Sequence, residues 1–190
     1  MISLQQKIND IIKKVEEDSN VVNSIVTDVV AEYTSDLDGV MSAIKRDVLE
    51  DSNPSIYTIE KYFIELSSAL YYMCERVEKL GVYDSISKSK AQETYNNKYL
   101  EHQHSTDGKV GAKKPTVAES TAISENESIY DKTVNDLYSK AYKIVKNKVS
   151  SAETMVSTLS KILSHRMQES QMTSSQTERQ ILNEGDIRFV

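Results

Sequence analysis

The chain has 190 residues, with 23 basic and 29 acidic side chains for a net charge of −6, and holds only 5 Gly and 2 Pro. That length supports one domain with a substantial core and excludes two large ones, and so little turn punctuation excludes a many-stranded sheet. There is no apolar run of about eighteen residues, and MISLQQKINDIIKK spreads its lysines instead of placing them ahead of an apolar block; this argues against a membrane span or export signal and for a cytoplasmic protein.

A mainly helical fold is therefore predicted. Leu4, Ile8, Ile11, Ile12 and Val15 recur at helical spacing, and Asp18, Ser19 and Asn20 offer a break and a fresh cap. Val22, Ile25, Val26, Val29, Val30 and Tyr33 form a second apolar stripe; Leu37, Val40, Met41, Ile44, Val48 and Leu49 form a third. The β-branched residues around Val21 to Val30 favour a strand, but the i, i+3, i+4, i+7 spacing fits better than alternation. Residues 1–52 thus read as acidic N-terminal helices.

At the next helix start, Asn53 is positioned to cap and Pro54 sits where a missing N–H is not needed. Ile59, Tyr62, Phe63, Leu66, Leu70, Met73, Val77 and Leu80 continue the stripe to Gly81, which is placed either to end or to bend the helix. Cys74, the lone cysteine, falls within this pattern and reads as a small core residue. Past Gly81, Asp84 is a further candidate cap, and Ile86, Ala91, Tyr95 and Tyr99 share a side.

Ser105, Thr106, Asp107, Gly108 and Gly111 make a flexible connection, closed by Pro115. Thr116 and Glu119 then form T-x-x-E, a capping box from which a long helix starts at Val117. On that helix Val145, Ala152 and Leu159 recur every seven residues, with Val149, Val156 and Leu163 four after each. So broad a stripe suits a bundle or a subunit contact, and those six residues are the expected oligomer interface. Ser170 to Thr177 reads as a polar linker before a short docking segment or tail containing Ile187, Phe189 and Val190. The expected architecture is all-α: a long helical hairpin over residues 53–169 with a basic loop at 103–115, N-terminal helices beside it, a linker and tail over 170–190, and self-association into an oligomeric helical bundle.

Sites for chemistry are sparse. No phosphate-cradling glycine loop, C-x-x-C or H-E-x-x-H occurs, and His102 with His104 lacks the further ligands of a metal shell. A non-enzymatic protein without cofactor or metal is expected. Charge is the stronger signal: residues 1–87 carry 8 basic and 16 acidic side chains, whereas residues 88–115 carry 6 and 3. Lys88, Lys90 and Lys98 lie near Tyr95 and Tyr99; Lys109, Lys113 and Lys114 occupy the loop; Lys132, Lys140, Lys143, Lys146 and Lys148 accompany Tyr138 and Tyr142 on the long helix. Cations beside aromatic rings suit a single nucleic-acid strand, the former tracking phosphates and the latter stacking on bases. Lysines on an amphipathic helix are also the ordinary way to solvate its outer face.

The order of these features resembles the phage recombination mediators of the UvsY type. The likeness runs over KSKAQETYNNKYLEH, the basic glycine-containing loop, and the capped helix with SIYDKTVNDLYSKAYKIVKNKVSSAETMVSTLSKILSHRM, about residues 88–166. It includes a D-x-x-x-x-x-x-Y element from Asp131 to Tyr138. The resemblance implies a homo-oligomer in the host cytoplasm that binds single-stranded DNA and loads a RecA-like recombinase in place of a single-strand-binding protein. Carried over by position, Lys88, Lys90, Lys109, Lys113 and Lys114 would contact DNA, and the stripe from Val145 to Leu163 would join subunits. The competing expectation is a phage virion or scaffold component built from long helices, motivated by the acidic N-terminal part and the apolar ending IRFV.

Overall fold

The computed structural model describes residues 4–104 and 115–186, and among them every element is helical. In chain order these are α1 (Leu4–Ile44), continued by a π-helical turn over Lys45–Leu49, α2 (Ile56–His104), α3 (Val117–Glu127) and α4 (Ile129–Asp186). The fold class is thus all-α, as expected. The loop lysines Lys109, Lys113 and Lys114 and the terminal Ile187, Phe189 and Val190 lie outside the described residues.

Several helix boundaries differ from expectation. No break occurs at Asp18 to Asn20: Ser19 and Asn20 face solvent, where polar side chains are tolerated, and the separate N-terminal helices merge into α1. Ser55, not Asn53, caps α2, its hydroxyl accepting from the Thr58 N–H at 3.0 Å; Asn53 instead donates its own N–H to Asp51 in the preceding turn. Helix α2 passes through Gly81 without ending. The segment 170–177 is helix rather than linker, with the Thr173 and Ser175 hydroxyls returned to backbone carbonyls four residues back. Cys74 is exposed rather than buried.

The contacts group the chain into two units, one made of Met1–Tyr33 and Cys74–Asn147, the other of Thr34–Met73 and Lys148–Val190. The second unit buries Leu37, Ile44, Val48, Ile59, Leu66, Met73, Ala152 and Leu159, one stripe from each of α1, α2 and α4. Here the oligomer-interface expectation is corrected in part. Ala152 and Leu159 are fully buried within the subunit, as is Val145 in the first unit, so these three are core residues with no surface to offer. Val149, Val156 and Leu163 are half-buried.

The end of α1 is fixed to α2 by polar contacts within the second unit. The π turn, closed by the Glu50 N–H on the Lys45 carbonyl at 3.0 Å, brings Asp47 to the start of α2. There Asp47 accepts two bonds from Arg46, at 2.6 and 3.0 Å, and a very short one from the buried Tyr62 hydroxyl. Lys148 on α4 reaches Asp38 at 2.5 Å and Thr34 at 3.1 Å, which satisfies a buried threonine hydroxyl on α1.

The Arg46 guanidinium, then the Tyr62 hydroxyl, hold the Asp47 carboxyl well below the usual carboxylate range. A depressed folded-state value contributes stability that is complete above the unfolded value, about 3.9, and is lost as pH falls through the folded one. Asp47→Asn is therefore expected to melt at lower temperature than the wild type at pH 7, with the gap closing as pH drops below about 4. A gap that stays constant from pH 7 to pH 2 would contradict this role for the carboxylate.

Candidate nucleic-acid interface

In the first unit α2 runs antiparallel to the α3–α4 segment, and a series of contacts sets the register. The Tyr142 ring lies against Gly81, where an added Cβ would stand 3.3 Å from it. Ser139 donates a short bond to Asp84, Ser87 contacts Asn135 at 3.4 Å, Thr94 donates to Asp131 at 2.7 Å, and His102 meets Glu127 at 3.1 Å. Small buried residues permit this approach: Ser87, Ala141, and the serines Ser120, Ser124 and Ser128 spaced four apart on one face. The α3 start is the expected capping box, with the Glu119 N–H on the Thr116 hydroxyl and the Glu119 carboxylate on the Thr116 N–H.

This register sorts the candidate side chains. Lys88 and Tyr95 sit one heptad apart on one flank of α2, and Tyr95 stacks on Tyr99 with ring centroids 6.3 Å apart. Across from them Lys132 and Asn135 open a face of α4 that Ser139, Lys143 and Lys146 continue at i, i+7, i+11 and i+14 from Lys132. Lys146 lies 5.9 Å from the centre of the Tyr142 ring. Between the helices is a cleft of about 360 Å³ whose lining includes Lys88, Gln92, Tyr95, Glu125, Lys132 and Asn135. Lys88, Lys132, Lys143 and Lys146 form no ion pair with any described carboxylate.

Three of the expected cations in the first unit are committed elsewhere. Lys90 lies two residues from Lys88, hence on the far flank of α2, and pairs with Asp131 at 3.8 Å. Lys98 is held by Glu101 at 3.1 Å and Glu127 at 3.6 Å, and the Glu101 hydrogen bond is the main reason its ammonium is held above the usual lysine range. Lys140 donates to Asn23 on α1 at 2.7 Å. Sequence reasoning left Asn135 and Gln92 out of the site, since uncharged amides on a helix carry no charge signal; Lys132 was legible from its spacing to Lys143 and Lys146 on one helical face.

Lys98 and His102 instead fasten the end of α2 to α3 through Glu127. The His102 bond, more than the Lys98 charge, keeps the Glu127 carboxyl below its ordinary value. Among the described residues no group of three His, Cys, Asp or Glu is placed to hold a metal ion, and no helix is long and apolar enough to cross a membrane. No protein-family model, curated protein or solved structure matches the chain.

Removing the Glu127 carboxylate breaks the tie that both Lys98 and His102 share. Glu127→Gln is expected to speed hydrogen exchange of backbone amides over residues 98–103 by several-fold while leaving residues 80–90 unchanged. Unchanged exchange at 98–103 would mean that this clasp does not hold the helix end.

Proposed function

We propose that the protein is a non-enzymatic, homo-oligomeric single-stranded DNA-binding protein that acts in the host cytoplasm as a phage recombination mediator, helping to load a RecA-like recombinase where a single-strand-binding protein had been. The observation that carries the DNA-binding part is the flank of the first unit on which Lys88, Lys132, Lys143 and Lys146 stand without carboxylate partners among the described residues, beside Tyr95, Tyr99 and Tyr142. An acidic chain with such a flank presents phosphate with a local surface whose field is confined to about 8 Å at physiological salt. Lys109, Lys113 and Lys114 would add to it from the loop. The recombinase and the displaced single-strand-binding protein rest on the resemblance of residues 88–166, and the oligomer on that resemblance together with the half-buried Val149, Val156 and Leu163.

A second reading, a phage structural assembly protein, draws on a different feature. Tyr57, Ile64 and Tyr71 stand seven residues apart on α2 in the second unit and are 76%, 60% and 77% exposed, an apolar column that a partner helix would cover. Abundant protein in purified particles would favour it.

Fluorescence anisotropy with a labelled single strand across a salt series tests the first reading. Affinity is expected to fall steeply with salt, and Lys143→Gln with Lys146→Gln to reduce the log–log slope by about 0.7 for each phosphate no longer neutralised. No binding in dilute buffer, or an unaltered slope in the double variant, would contradict it.

A further inference from the structure

We propose that the cleft between α2 and the α3–α4 junction takes one unpaired nucleotide, its phosphate between Lys88 and Lys132 and its base against Tyr95, and that this makes the protein select single strands over duplex. The proposal rests on the DNA-binding reading above and adds to it a defined subsite with a stated ligand.

The two ends of the cleft differ in chemistry because of the register. Ser87 on Asn135 places Lys88 at the Asn135 end; Thr94 on Asp131 places Lys132 about midway along the cleft and Tyr95 at the far end, with Ser128 and Glu125. Seven residues of α2, roughly 10 Å of helix, separate Lys88 from Tyr95. The Asn135 end therefore offers Lys88, with Lys132 about one turn further in, as two ammonium groups without carboxylate partners among the described residues, for a phosphate. The other offers the face of a ring already ordered by its stack on Tyr99, at low entropic cost to a base that joins it. The Glu125 carboxylate repels phosphate from the aromatic end and so fixes the polarity of the nucleotide, while its oxygens are acceptors for an exocyclic amine.

The polar walls suit any base. Gln92 donates to Asn96 at 2.9 Å, which leaves its own carbonyl oxygen as an acceptor in the cleft wall. Asn135 accepts from Ser87 and keeps its amide N–H groups as donors. One acceptor and one donor beside a stacking ring do not discriminate among bases. The volume, about 360 Å³, is at the small end for a ligand pocket and suits a mononucleotide rather than a base pair. A paired base turns its edge to its partner and is stacked on both faces, so duplex cannot enter without the cost of unstacking.

The test compares labelled oligothymidylate, an abasic deoxyribose-phosphate polymer of equal length, and duplex of equal length, each by anisotropy at one low salt concentration. Wild-type protein is expected to bind oligothymidylate about tenfold or more tightly than the other two, in keeping with about 1–3 kcal/mol per stacked base. Tyr95→Leu should lose most of that tenfold for oligothymidylate and nothing for the abasic polymer; Lys132→Gln should weaken both. Asn135→Ala, a milder change, should weaken oligothymidylate alone, and circular dichroism melting confirms that each variant is folded. Equal binding of base-containing and abasic polymers, or folded variants with wild-type preference, overturns the nucleotide subsite while leaving DNA binding intact. Failure of wild type to bind any of the three overturns both.

Discussion

The pairing of α2 with α4 in the first unit is the constraint from which the candidate interface follows. Gly81 against Tyr142, Ser87 against Asn135 and Thr94 against Asp131 are short-range contacts that allow one register and penalise a slip of one turn, since a slip would strand Asp131 and Asn135 without these partners. Small buried residues make the approach possible, and the polar contacts then specify it. Every statement about which lysines face the same cleft depends on that alignment.

The arrangement also shows how an acidic chain keeps a few cations available. Most lysines in the first unit near an acid are engaged: Lys79 with Glu75, Lys90 with Asp131, Lys98 with Glu101 and Glu127. Exposed pairs of this kind add little stability, but they lower the local positive field where they occur. Among the described residues the flank carrying Lys88, Lys132, Lys143 and Lys146 lacks such pairing, so its charge is presented to solvent and ligands. In the second unit the polar contacts have another purpose: Asp47 and Asp38 each gather donors from two directions and tie α1 to α2 and α4.

Helix positions were legible in the sequence wherever the cause is local. The Thr116 capping box needs only two side chains three residues apart, and the stripes Ile59 to Leu80 and Val145 to Leu159 announce a buried face by their period. What covers such a face is not local information. Val145, Ala152 and Leu159 are equally compatible, by spacing alone, with a second subunit; it is the chain itself that buries them. Polar clusters misled for the same reason. The runs around Ser19 and Asn20 and from Ser170 to Thr177 look like interruptions, yet on a solvent-facing side such residues cost a long helix little, and serine and threonine hydroxyls bond back to its carbonyls. The candidate site was half legible: tyrosines and lysines could be grouped by spacing, and the local Glu101 beside Lys98 could be read, whereas the pairing of Lys90 with Asp131 and the second carboxylate on Lys98, Glu127, lie far along the chain.

The register itself is open to direct measurement. In a Cys74→Ser background, cysteines introduced at Ser87 and Asn135 should oxidise to an intramolecular disulfide, read as faster migration on a non-reducing gel and loss of two thiols by titration, because those side chains meet at 3.4 Å. A cysteine at Ser87 paired with one at Ser139, one turn away, should remain largely reduced under the same conditions. Preferential linkage of the second pair would carry Lys132 a further turn away from Lys88 and contradict the interface.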